Sequence, residues 1–279
     1  MCPYPLTQYS TILFVTHLAK SSLTYRTLKV YLAAITRAHI EAGFSNAICD
    51  DLLLQFTMQG IKRQHGAFSR TRLPITMELM RTLHVSLQTQ PTLCEYDKVM
   101  LWAAFTLAFF GFLRVSEFVA PTCLSFDPQR TLLGSDITSA ADLVVFIKAS
   151  KTDPFRRGCR IVIASSGSSV CAVQAYHTYK SLRHQHSHLP AFQFANGRYL
   201  TRQLVSEHVR ELLTRAAVPN VQLYSTHSFR SGAATTAANA NLPDWLIKTL
   251  GRWRSDAYQT YVHTPADIIR SVPTRLSNC

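Results

Sequence analysis

Apolar positions recur along much of this chain at helical spacing. Between Tyr25 and Ala42, Leu28, Tyr31, Leu32 and Ile35 fall at i, i+3, i+4 and i+7, which makes one stripe of a helix. Arg26, Lys29 and Arg37 fall on the opposite side. Ser22 or Thr24 suits the start of that helix and Gly43 its end. A second apolar segment covers Leu52 to Ile61. The pattern then breaks at KRQHGAFSRTRLPIT, Lys62 to Thr76, a basic stretch with a Gly, a Pro and no period, which reads as a linker. Thr76 suits the start of a further helix through about His84, and Tyr96 to Gly111 is apolar on all sides, as a buried helix is. LVVFI at Leu143 to Ile147 and CRIVIA at Cys159 to Ala164 are short and β-branched, and KASKTDPFRRG joins them as the long basic tip of a β-hairpin. Helical segments return at Val170 to Arg183, Leu204 to Ala217 and Thr226 to Ala240, with no internal repeat. The pattern predicts a mostly α fold with a small antiparallel β-sheet (α+β) in two lobes. The helical lobe spans residues 1–66, a linker spans 67–75, and a larger domain spans 76–279.

Charge changes the picture. Lys and Arg number 29 against 16 Asp and Glu, a formal net charge of +13. A globular chain this basic is suited to a polyanion, and nucleic acid is the commonest one. Lys62, Arg63, Arg70 and Arg72 around the linker can track a nucleic-acid backbone, as can Arg26, Lys29 and Arg37 on the first lobe. The seven cysteines include no pair at CxxC spacing, which argues against a zinc site. Their odd number, with no secretory signal, points to a reducing, intracellular setting. The longest apolar run, Val99 to Leu113, is shorter than the roughly 20 residues of a membrane span. No phosphate-binding loop pattern and no acidic metal cluster stands out, so neither a metal nor another cofactor is expected.

The chemistry concentrates at THSFRSGAATTAANANLPDWLIKTLGRWRSDAYQTYVH, Thr226 to His263. His227 and Arg230 stand three apart on a helix that Ser225 or Thr226 can cap, so both leave one face. An Arg fork matches two phosphate oxygens, and a His adds a hydrogen bond. By itself the pair is unspecific.

Its context is specific. FFGFLRVSEF carries Arg114, SKTDPF carries Lys151, THSFR carries His227 and Arg230, and LGRWRSDAYQTY ends at Tyr261. In this order and approximate spacing the chain resembles the tyrosine recombinase, or phage-integrase, family. The first lobe, in YRTLKVYLAAITRAHIEAG and GIKRQHG, is similar to that family's helical core-binding, DNA-clamping domain, so the resemblance covers nearly the whole chain. It implies a two-lobed clamp on double-stranded DNA that works as a homo-oligomer, away from membranes, and that cleaves and rejoins strands through a covalent 3′-phosphotyrosine. It implies Arg114, Lys151, His227, Arg230 and Tyr261 as catalytic residues, with Lys151 as the acid that protonates the leaving 5′-oxygen. Where many members have Gly-His, this chain has Gly251, Arg252 and Trp253: Arg252 takes the His position by spacing, and Trp253 can supply an indole donor by chemistry. SKTDPFRRG with GRWRSDAYQTY resembles recombinases of eukaryotic mobile elements of the DIRS and crypton kinds, which implies integration or excision of element DNA in the nucleus.

The residues fit that chemistry. A metal-free site must neutralise the two non-bridging oxygens of the phosphate, which Arg114 and Arg230 can do with His227. A phenol can attack in line and form the ester, provided a cationic pocket favours its ionised form. Glu117, one turn beyond Arg114, either pairs with it or holds it in orientation. Lys148 rivals Lys151 but lies in the strand rather than the turn, and Tyr258 rivals Tyr261 but is less suited by spacing. Arg156 and Arg157 at the hairpin tip are candidate phosphate anchors. The alternative reading is a recombinase-derived DNA-binding protein without catalysis, and a more remote one is a relaxing enzyme of type IB topoisomerase kind.

Overall fold

Thr7 and Thr24 each turn a side-chain oxygen onto the amide three residues on, and each starts a helix: α1, Gln8–Lys20, and α2, Tyr25–Glu41. With α3, Leu52–His65, they bury Val15, Ala19, Leu28, Leu54, Met58 and Ile61. These coordinates are a computed structural model that describes residues 6–44, 51–65, 72–151, 153–183, 186–253, 255, 256 and 259. The chain divides into two compact units, 1–70 and 71–279. In the first, Tyr31 is exposed and meets Phe14 edge-on, so the buried stripe of α2 runs instead through Leu28 and His39. Leu52, Leu53 and Phe56 of the second apolar segment are also exposed.

The stretch read as a linker is structured at both ends. Lys62 and Arg63 lie in the last turn of α3, where cations suit the helix dipole. Leu73 and Ile75 belong to the second unit. Their amides donate to the carbonyls of Leu223 and Ser228 (3.2 and 2.9 Å), and Ile75 is fully buried.

The second unit is built round α5, Glu95–Phe110, whose residues from Met100 to Phe109 are all buried. It packs against α4, Met77–Gln88, and against α6, Ala172–Leu182. The third neighbour is α8, Ser228–Asn239. Thr76 stands at the N-cap of α4 without a side-chain capping bond, and α4 runs a turn past His84. Helix α7, Arg202–Arg215, is capped by Thr201, and α9, Asp244–Leu250, was not evident in the sequence. Helix α8 approaches the 73–75 segment so closely that a Cβ on Gly232 would overlap the Ile75 carbonyl.

The sheet is antiparallel in the order β1, Ile137–Ser139, β2, Leu143–Ile147, and β3, Cys159–Ile163. Strand β1 adds to the expected hairpin. Val145 faces Ile137 on one side and Ile161 on the other, and Ile147 faces Cys159. Leu143, Val145 and Ile147 are buried while Phe146 is exposed, so the sheet has one face on the core. The hairpin tip follows directly at Lys148. No described helix is long and apolar enough to cross a membrane.

Candidate active site

Arg114 is delivered by the way α5 ends. Gly111 closes the helix, Phe112 takes a left-handed conformation (φ +49°), and Arg114 follows in extended backbone at the head of a single 3₁₀ turn, Val115–Glu117. Glu117 folds back on it. Its Oε2 accepts from the Arg114 amide (2.9 Å), and its Oε1 accepts from Arg114 Nη1 (2.9 Å). Arg252 Nη2 reaches the same carboxylate at 2.7 Å. Ser150, from the hairpin tip, completes the cluster: its Oγ accepts from Arg114 Nη1 (2.8 Å) and donates to Glu117 Oε1 (2.9 Å). Glu117 is 2% exposed. Burial alone would raise its carboxyl, but the Arg252 charge and the Arg114 amide and guanidinium outweigh that and hold it below the usual carboxylate range. Glu117 thus orients two arginines at once.

Arg230 departs from expectation. It does not present an open fork but is 1% exposed. It donates to the carbonyls of Phe112 and Gly251, at the C-terminal ends of α5 and α9, where a cation satisfies unpaired carbonyls and the helix dipole. The Trp253 ring covers its other side, 4.3 Å from the guanidinium carbon. Trp253 is therefore a lid on Arg230 in this structure. The ring lies so close over Gly251 that a Cβ there would overlap it. Arg252 is likewise turned inward, with φ +54° and Nη1 on the Gly111 carbonyl (3.1 Å). Beside Trp253 opens a cleft of about 560 Å³, bordered by Ile147, Cys159 and Trp245.

His227 is the N-cap residue of α8, not a member of the helix interior, and its side chain makes no capping bond. Ser225 Oγ accepts from its amide in the turn before the helix (3.3 Å). Burial, and then the charges of Arg230, Arg72, Arg114 and Arg202, push its imidazole down to about 4. It is neutral at pH 7, with one ring nitrogen to donate and one to accept. The same four arginines mark a strongly positive place. Arg72 was expected at a linker; Arg202, the exposed first residue of α7, was not expected at all. Its one signal in the sequence is its position just after a helix-capping Thr201.

At the hairpin, Lys148 is engaged: Nζ pairs with Asp136 Oδ2 (2.7 Å) and donates to the Pro128 carbonyl (2.9 Å). Lys151 is exposed and lines a cleft of about 700 Å³ together with Ser116, Arg130, Ser150, Arg156 and Arg202. Arg157 is exposed and lies over the Phe155 ring. On the first unit Arg26, Lys29 and Arg63 are exposed, Lys62 lies over the Tyr25 ring, and Arg37 is paired with Glu41 (2.6 Å). Arg70, Tyr258 and Tyr261 lie outside the described residues. Among the described residues no group of His, Cys, Asp and Glu side chains is placed to hold a metal ion. The structure thus joins Arg114, Glu117, Ser150, Arg230, Arg252 and Trp253 in one set of contacts, with His227 in its field and Lys151 next in sequence to Ser150.

The fold is that of solved DNA integrases and site-specific recombinases. The chain superposes on the Tn1549 transposon integrase in complex with circular intermediate DNA at a TM-score of 0.58, with 13% identity, over 96% of this chain and 85% of that one. It superposes on the XerH site-specific recombinase bound to difH at 0.52, with 12% identity, over 95% and 78%. In sequence it is 27% identical over 236 residues to the integrase/recombinase xerD homolog of Selenomonas ruminantium, which covers 81% of this chain and 64% of the relative. The chain thus spans a little under two thirds of that relative's length. No protein-family profile matches it. The resemblance read from the sequence therefore holds in fold and in an independent relative.

Proposed function

We propose that this chain is a site-specific DNA recombinase or integrase. It cleaves one strand of a duplex through a covalent 3′-phosphotyrosine and rejoins it to another. The observation that carries this reading is the arrangement of Arg114, Arg230, Arg202 and Arg72 around a neutral His227, beside the hairpin turn that bears Lys151. Such a concentration of guanidinium charge is favourable chiefly when an anion joins it.

In the proposed reaction Tyr261 Oη attacks the phosphorus and the bond to the 5′-oxygen breaks. Lys151 gives its proton to that oxygen, and the phenol's proton passes to the neutral imidazole of His227. Arg114 neutralises a non-bridging oxygen. Arg230 does the same once phosphate displaces the Trp253 ring, and the cleft beside that ring gives it room. The engagement of Lys148 by Asp136 supports Lys151 as the acid. Rejoining reverses these steps, and the ester conserves the bond's energy. Exchange between two duplexes needs paired cleavages, so the working form is a homo-oligomer on double-stranded DNA. The Tn1549 integrase acts in a transposon by its name, and by analogy the present protein mobilises element DNA, in the nucleus if its host is eukaryotic.

The test is a set of nicked duplexes tiled across the DNA that flanks the reading frame, where cleavage beside the nick frees a short fragment and traps the enzyme. At least one duplex should yield a protein–DNA adduct stable to detergent. Specific binding without adduct on any of them would identify the protein as a binder that has lost catalysis.

A further inference from the structure

Ser150 stands in the SKTDPF motif with no role assigned to it from the sequence, yet its hydroxyl sits between the Arg114 guanidinium and the Glu117 carboxylate. Its carbonyl is also held, by the Asp153 amide at 3.0 Å, and Asp153 Oδ2 in turn accepts from the Gly158 amide (2.8 Å) at the far side of the tip. The hairpin tip is therefore fastened to the Arg114–Glu117 pair at Ser150, one residue before Lys151. Arg114 does not depend on this fastening, because its amide and its Nη1 are both bound to Glu117. The lysine turn does: Lys151 itself is exposed, and its place along the cleft follows from where residue 150 is held.

We infer that Ser150 is a positioning residue that sets the Lys151 ammonium against the leaving oxygen. The inference rests on the recombinase reading. Removal of the hydroxyl frees the tip while Arg114 stays in place. The effect falls on proton delivery to the 5′-oxygen and spares charge neutralisation at the phosphate. A group misplaced by about 1 Å commonly loses on the order of 100-fold in rate.

The experiment compares two forms of the duplex that gives an adduct: the natural phosphodiester, and one in which sulfur replaces the 5′-bridging oxygen. Sulfur departs as a thiolate and needs no proton, so its release does not feel the acid. Ser150→Ala should cleave the natural bond about 30-fold more slowly than the unaltered protein and the sulfur-bridged bond within about 3-fold of it. Lys151→Ala should show the same selectivity, Ser150→Thr should recover most of the natural rate, and Arg114→Ala should be slow on both substrates. Unchanged DNA binding and thermal midpoint in Ser150→Ala establish that the fold is intact. Equal slowing on both substrates, or no slowing on either, would overturn the inference while leaving the recombinase reading intact. Failure of the unaltered protein to cleave either substrate would overturn both.

Discussion

Glu117→Gln tests the contact on which the site is built. One carboxylate accepts from the Arg114 amide, from Arg114 Nη1, from Arg252 Nη2 and from Ser150 Oγ, and its side chain is wholly buried. An amide in its place turns one of the two acceptor oxygens into a donor that faces a guanidinium or an amide, and it leaves two cations without their counter-charge. Breaking a buried pair costs about 3–5 kcal/mol. Both arginine side chains keep 17% exposure and can turn toward water, which places the loss near the lower end, about 3 kcal/mol. For a unit of about 200 residues that corresponds to a fall of roughly 6–12 °C in Tm. Urea denaturation of Glu117→Gln, Arg252→Gln and the double variant gives the coupling directly, and it should be at least about 1 kcal/mol. DNA binding at low salt should not weaken, because the change removes a negative charge, whereas cleavage should fall by about 10–100-fold as Arg114 loses its orientation. A stability loss under about 1 kcal/mol, or strictly additive effects, would refute the reasoning.

Other consequences follow from single observations. His227 has a depressed pKa, so above about 6.5 neither folded nor unfolded chain protonates it, and between there and about 4 only the unfolded chain binds the proton. Stability should therefore fall on acidification through that window, by about 2 kcal/mol after allowance for partial exposure, and Glu or Asp effects aside the fall should shrink in His227→Gln. Nuclear magnetic resonance titration should find this imidazole near 4 and find it raised in Arg202→Gln. Gly232→Ala forces the Ile75 carbonyl away from α8 and should cost about 3 kcal/mol or prevent folding, read as a thermal melt. Gly251→Ala expels the Trp253 ring, so in a Trp245→Phe background indole fluorescence should become more accessible to acrylamide. DNA affinity should fall steeply with salt, and Arg202→Gln should lower the slope of log affinity against log salt by about 1.

The elements with a strong period were legible in the sequence: the stripe of α2, the all-round apolar α5 and the alternating strands of the hairpin each follow from local chemistry. Elements held by distant partners were not. Strand β1 is three residues long and exists by pairing with β2, and Leu73 and Ile75 look like linker until the carbonyls of Leu223 and Ser228 are brought to them. At the site, Arg114, His227 and Arg230 stood out by order and spacing, and the choice between Lys148 and Lys151 by turn context. The inward turn of Arg230 was hidden because its acceptors, Phe112 and Gly251, lie far off in sequence and become available only where two helices end together. Ser150 stood in the SKTDPF motif, but its contacts were hidden for the same reason: its partners lie more than thirty residues away.

The most direct test of the account is to find the atom that carries the DNA. The trapped adduct would be digested with nuclease and trypsin, and the modified peptide sequenced by tandem mass spectrometry. The account predicts a nucleotide remnant on Tyr261, and no adduct at all from Tyr261→Phe. A remnant on Tyr258 or on any other residue, or an adduct that persists in Tyr261→Phe, would contradict it.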